Sequence, residues 1–216
     1  MLTMKYFFAC VIFASILSSC SPNDEKLPIL GRREIKNVDF NGKITADTMY
    51  HTIPDFSFTN QDGKTVTQET FKDKIYVADF FFTTCPTICP IMKTQMLRVY
   101  EKYRGNPEVL ILSHTIDPTY DTVEVLHEFA DRLGVSSDTW HFVTGDKEKI
   151  YDIGQNSYMV TAREDPEELG GYLHSGAFLI VDKQRRIRGI YDGTKPEKVD
   201  ILMKDIDRLL KEYEKE

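Results

Sequence analysis

The sequence predicts an α/β fold, a three-layer sandwich of helices around a mixed sheet, and three features carry that prediction. Two apolar runs of strand length, residues 75–82 and 109–113, are separated by an amphipathic helical stretch, which implies parallel pairing. A second helix and a further short strand follow in the same alternation. The chain then ends in a strand pair and a long helix, which add antiparallel strands to the same sheet. The 216 residues, 41% apolar and 28% charged, suit one domain with a short extra segment rather than a disordered or multi-spanning chain. A net charge of −7 speaks against a general nucleic-acid binder, and no nucleic-acid partner is expected.

Residues 1–20 stand apart. Lys5 is their only charge, an apolar run follows from Tyr6 to Leu17, and Leu17-Ser18-Ser19-Cys20 closes the segment. A positive start, a short apolar core and small residues describe a secretory signal. Twelve apolar residues would rise only about 18 Å as a helix, short of a bilayer core of roughly 30 Å. Leu-Ser-Ser-Cys resembles the bacterial lipobox, which makes residues 1–19 a lipoprotein signal peptide and Cys20 the acylated first residue. Residues 20–45 carry mixed charge, Pro22, Pro28, Gly31 and Gly42 without sustained periodicity, and read as a lipid-anchored tether. Residues 46–216 are the folded domain, with no internal repeat.

Within that domain, residues 54–67 read as a hairpin with Asp62-Gly63 at its turn. The run 75–82 is rich in β-formers and continuous enough for a buried central strand. Ile88, Met92, Met96, Val99, Tyr100 and Tyr103 recur at helical spacing before Gly105, predicting a helix over 88–104. Residues 109–113 form the next strand, and 122–133 a helix with Asp121 as N-cap and Gly134 at its end. A short strand at 140–143, a short helix at 146–153 and a polar loop over 155–173 follow. The strands 177–182 and 186–192 pair with each other. The last helix, 196–214, turns Val199, Leu202, Ile206, Leu209 and Leu210 inward. This order fits a sandwich of thioredoxin type.

Cys10 falls inside the signal, so the folded part holds two cysteines, Cys85 and Cys89, exported to where disulfides persist. They lie in Thr83-Thr84-Cys85-Pro86-Thr87-Ile88-Cys89-Pro90, between a central strand and the next helix. A helix start favours thiolate, and four-residue spacing would put both sulfurs on one helical face. That arrangement allows a disulfide or two ligands on one soft metal, copper(I) or zinc. Two thiolates seldom saturate a metal, so a third ligand should come from elsewhere. An inert disulfide here would close a five-residue ring of small stabilising value.

At these residues the chain resembles the Sco/SenC family of thioredoxin-fold copper proteins tied to assembly of cytochrome c oxidase. Phe80-Phe-Phe-Thr-Thr-Cys85-Pro-Thr-Ile-Cys89-Pro is similar to its Cys-Pro-x-x-Cys-Pro site. Ile116-Asp-Pro-Thr-Tyr-Asp-Thr122 resembles its second motif, and Leu173-His174-Ser175 before an apolar strand its third. The resemblance implies one copper ion, Cu(I) or Cu(II), held by Cys85, Cys89 and His174. It implies as partners the copper-binding subunit of the oxidase and an envelope copper donor or thiol reductant. With the lipid anchor, it implies a bacterial cell-envelope address facing the periplasm.

Among the other histidines, His114, His127 and His141 read as structural, and His51, ahead of the first hairpin, as taking no catalytic part. Met92 and Met96 could offer thioethers to Cu(I), but their spacing is that of a core helix face. Asp117, beside Pro118, is open between a supporting role at the site and capping of the following helix, while capping accounts fully for Asp121. The acidic run 164–168 reads as a solvated surface. Two functions compete with copper delivery. A thiol-disulfide oxidoreductase would use Cys85 and Cys89 as a redox pair reducing the oxidase subunit's cysteines, although their spacing is one residue longer than in Cys-x-x-Cys thioredoxins. A thiol peroxidase of the peroxiredoxin pattern would need proline at 78 and threonine at 82, where the chain has Ala78 and Phe82.

Overall fold

The computed structural model describes residues 26–40 and 43–215. The expected signal and the lipid-bearing Cys20 lie outside the described residues. The main sheet is seven-stranded, in the order β11-β10-β5-β6-β7-β3-β4. At its centre β5 (Ile75–Phe81), β6 (Val109–Thr115) and β7 (Trp140–Thr144) run parallel, as helix-separated strands must. The hairpin β3 (Ser57–Asn60) and β4 (Thr65–Thr67) joins antiparallel at one side. The pair β10 (Ala177–Val181) and β11 (Ile187–Asp192) joins antiparallel at the other. Every residue of β5, β6 and β7 is buried, the mark of strands covered on both faces.

One face is covered by α1 (Cys89–Tyr103), α2 (Val123–Leu133) and α4 (Pro196–Glu214). Two right-handed crossovers in the same direction, β5 to β6 to β7, require α1 and α2 on one side. Phe129 of α2 stacks on Phe81, and Tyr103 of α1 donates to Asp207 of α4 at 2.8 Å. In α4, Val199, Leu202, Ile206 and Leu209 are buried at helical spacing, each contributing about 1.5–3 kcal/mol. The opposite face is covered by α3 (Lys147–Asp152), the π turn Ile153–Ser157 and the 3-10 turn Gln68–Phe71. Between this face and the sheet lies His114, fully buried with neither ring nitrogen hydrogen-bonded. Phe56, Phe58, Phe80 and Tyr158 enclose it.

Three expectations change. The N-cap of α2 is Thr122, which accepts from the Val125 amide, while the Asp121 side chain turns inward. The segment expected as a polar loop contains a two-stranded ribbon, β8 (Ala162–Glu164) with β9 (Tyr172–His174). The segment read as an irregular tether contains β1 (Arg33–Phe40) and β2 (Lys43–Tyr50), an antiparallel hairpin in a sheet of its own. The expected boundary at residue 46 therefore falls inside β2.

Strand register gives the sandwich two poles. Val181 pairs with Tyr76 at the start of β5, Ile187 pairs with Val181, and Leu30 bridges to Ile187. Chain entry is fixed at this pole by buried Arg188, which donates to the carbonyls of Leu27 at 2.6 Å and Pro28 at 3.2 Å. Its charge is met by Asp182 at 3.0 Å and Glu212 at 2.9 Å. The base of the β1–β2 hairpin is held here too: the His51 amide donates to Arg32, and the Ile53 amide to Arg185. Gly31, at φ +104°, makes this possible, since a Cβ would meet that of His51 at 3.0 Å. The carboxyl end of β5 lies at the other pole, about 20 Å along the strand.

Candidate metal centre

Cys89 is the first residue of α1, with Pro90 directly after it where a missing amide costs nothing. Cys85 precedes the helix in the turn leaving β5, its amide donating to the Phe82 carbonyl at 3.3 Å. The two sulfurs thus do not share a helical face, as the spacing alone suggested; a turn folds one back toward the other. Both are free thiols and both are buried.

His174 ends β9. Its Nε2 lies 3.1 Å from Cys89 Sγ and 3.7 Å from Cys85 Sγ. Among the described residues, these three form the one cluster able to hold a metal, their ligand atoms all within 4.8 Å of one another. His174 Nδ1 is 3.3 Å from the Ser175 carbonyl. A proton placed on Nδ1 donates there and leaves the Nε2 lone pair aimed at the sulfurs. Phe82 stands edge-on to the imidazole at 5.7 Å, so the site has an apolar wall. Soft sulfurs, one imidazole and partial exclusion of water fit copper, and Cys85, Cys89 and His174 would hold it.

The nearness of the two thiols divides their acidities. The Cys89 S–H pulls the Cys85 thiol well below its ordinary range, assisted by His174 and Thr87. Cys89 moves the other way, because its proton is shared with Cys85 and its sulfur is buried. One helical turn beyond Cys89, the buried Lys93 ammonium pairs with Asp79 at 2.8 Å and lies 4.0 Å from the Phe81 ring centroid. Its charge favours a thiolate at Cys89.

Two aspartates hold the loops that carry the ligands. Asp121 accepts from the Thr83 amide at 3.1 Å and from the hydroxyls of Thr83 and Thr115, so it ties the turn before Cys85 to the end of β6. Burial raises its carboxyl above the usual range. Asp117 accepts from the Tyr120 amide at 3.3 Å, and burial together with this carboxylate raises the pKa of Tyr172, two residues before His174. Gly170, at φ +95°, lets the ribbon lie against the cysteine turn: a Cβ there would meet Phe82 and Pro86 at 3.1 Å. The sequence showed Thr83 in the cysteine motif and Gly170 at the head of a Gly-rich turn, but not the contacts they make.

The other candidates lie apart from the centre. Met92 and Met96 are fully buried core residues of α1. His127 is exposed beside Asp62 and Asp131. His141 bonds Asn60 at 3.3 Å, and burial lowers its pKa to about 4. His51 bonds the Ser157 carbonyl at 2.7 Å.

A family model described as SCO1/SenC matches residues 44–211. The chain belongs to the SCO1/SenC family. A SCO1/SenC family lipoprotein from Bacillus anthracis is 28% identical with a TM-score of 0.68, covering 74% of this chain and 95% of that one. BsSco, described as having a disulfide switch and as a member of the Sco family of cytochrome c oxidase assembly proteins, is 31% identical with a TM-score of 0.65; 74% and 93% are covered. ScoI of Arabidopsis thaliana, solved with copper bound, is 25% identical with a TM-score of 0.59 over 72% and 98%. The sandwich of this Sco/SenC chain is thioredoxin-like, and its Cys-Cys-His cluster is consistent with copper binding.

Proposed function

We propose that this chain is a membrane-tethered copper metallochaperone that binds one copper through Cys85, Cys89 and His174. In this reading it supports assembly of the dinuclear copper centre of cytochrome c oxidase. The observation that carries the proposal is His174 Nε2 facing both sulfurs across 85 and 89 residues of chain. Copper is the cargo: two thiolates and one imidazole take it, and similar ligands on the oxidase's copper-binding subunit receive it. Copper bound in Arabidopsis ScoI and the oxidase-assembly description of BsSco support the reading. The lipobox-like Leu17-Ser18-Ser19-Cys20 supports a lipid anchor at Cys20 and a periplasm-facing address in a bacterial envelope. The reduced chain should bind one copper tightly and the Cys85–Cys89 disulfide form none, because disulfides are poor ligands. Titration followed by absorption and mass checks this; undiminished binding by the oxidised form overturns it.

The free thiols of unequal acidity favour a second reading, a thiol-disulfide oxidoreductase acting on the oxidase subunit. The Cys85 thiolate would attack a sulfur of the partner's disulfide, releasing one partner thiol. Cys89 would then displace the second, leaving Cys85–Cys89 oxidised by two electrons and the partner reduced by two. His174→Ala separates the two readings. It should lose stable Cu(II), which prefers four or more ligands with nitrogen among them, and lose oxidase assembly while thiol cycling persists. Copper spectra, thiol titration and assembled oxidase are the measurements. Normal assembly by the variant would favour the reductase.

A further inference from the structure

The β1–β2 hairpin forms a separate two-stranded sheet, and its described side chains are exposed. Isolated hairpins are marginal in water and gain stability from a surface to pack on. Ile35 is 76% exposed and Ile44 71%, with Val38, Met49 and Tyr50 also open to solvent. Register places Ile35, Ile44 and Tyr50 on one face, where Arg33 lies over the Tyr50 ring at 5.6 Å. Exposed Arg32 precedes this face at the hairpin's base, while Lys36 lies on the other face beside Glu34 and Asp39 stands opposite Ile44. Aliphatic residues, an interfacial tyrosine and the arginines at the hairpin's base suit a lipid surface with anionic headgroups.

Geometry selects that occupant. Five residues, 21–25, separate Cys20 from Lys26, a reach of about 20 Å when fully extended. The domain itself is about 40 Å across. A lipid at Cys20 therefore holds close to the bilayer whichever pole the chain enters. That pole is where Leu30 bridges Ile187, where Arg188 grips Leu27 and Pro28, and where the hairpin is rooted. Cys85, Cys89 and His174 lie at the opposite one. We propose that the hairpin lies against the lipid headgroups and holds the copper site turned away from the bilayer, toward partners approaching from the periplasm. The inference rests on the lipid-anchor part of the proposed function.

The test uses lipidated full chain purified from membranes and reconstituted in phosphatidylethanolamine–phosphatidylglycerol vesicles with brominated acyl chains. The single native tryptophan, Trp140, is fully buried and supplies a constant background. Ile44→Trp probes the hairpin. Tyr120→Trp probes an exposed position just past β6, at the copper pole. Ile44→Trp emission should shift to the blue and be quenched, and Tyr120→Trp emission should be unchanged. An unquenched Ile44→Trp, or equal quenching of both, overturns the inference and leaves the hairpin face to a protein. Cys20→Ser, fractionated in parallel, separates the two levels. Its release from membranes supports the anchor whatever the hairpin does; its retention overturns the anchor and this orientation with it.

Discussion

His114 places an imidazole where it cannot be charged. Burial lowers its pKa to about 3, and no partner compensates either nitrogen. In the unfolded chain a histidine titrates near 6.5, so below that pH the unfolded state binds the extra proton. The neutral ring's contribution is fully present above pH ~6.5 and is lost as pH falls toward 3, on the order of 4–5 kcal/mol across that window. His114→Leu should flatten this acid limb while leaving copper binding at neutral pH unchanged. Urea denaturation between pH 4 and 8 measures it, and an unchanged slope would refute the assignment. Lys93 solves a similar problem by another route, with Asp79 neutralising its ammonium and the Phe81, Trp140 and Phe142 rings surrounding it.

At the scale of elements, the site depends on how two loops are tied down. Asp121→Ala removes the acceptor shared by Thr83 and Thr115 and frees the turn before Cys85. Losing a buried acceptor costs about 1–3 kcal/mol. The variant should melt lower and bind copper more weakly, as calorimetry and a competitive chelator titration would report; native copper affinity would make Asp121 merely structural. Capping chemistry was legible in the sequence for Gly134, yet it misled at Asp121. Thr122, one residue on, does the capping, and only tertiary structure reveals which of two adjacent polar residues turns inward. Periodicity read the central strands and α4 well, because continuous burial and a four-turn apolar stripe are strong signals. It failed for β8 and β9, three residues each, whose pairing is set by Gly170 and Gly171 at positive φ. The β1–β2 hairpin was hidden because its apolar and charged residues do not alternate; Asn41-Gly42 was the available turn signal. The cysteine pair was legible from its spacing and His174 from its resemblance to a Sco/SenC motif, whereas the 3.1 Å approach of His174 to Cys89 needs the ribbon.

For the whole molecule, the position of His174 in the chain would make a bound copper a mechanical component. Disulfide closure joins Cys85 to Cys89 and shortens a ring of five residues, a constraint worth about 2 kcal/mol in the chain-entropy treatment. Coordination of His174 together with Cys89 instead closes a loop of 85 residues, worth roughly 4–5 kcal/mol by the same treatment. Melting temperature should therefore rank loaded protein above the disulfide form, and the disulfide form above the reduced apoprotein. Differential scanning calorimetry of the three states gives the order, and equal melting of the loaded and disulfide forms would remove His174 from the bond set. Cargo in this view is a reversible cross-link between α1 and the β8–β9 ribbon. Under the proposed delivery role, releasing the ion would unlock the ribbon and leave a looser molecule than the loaded one.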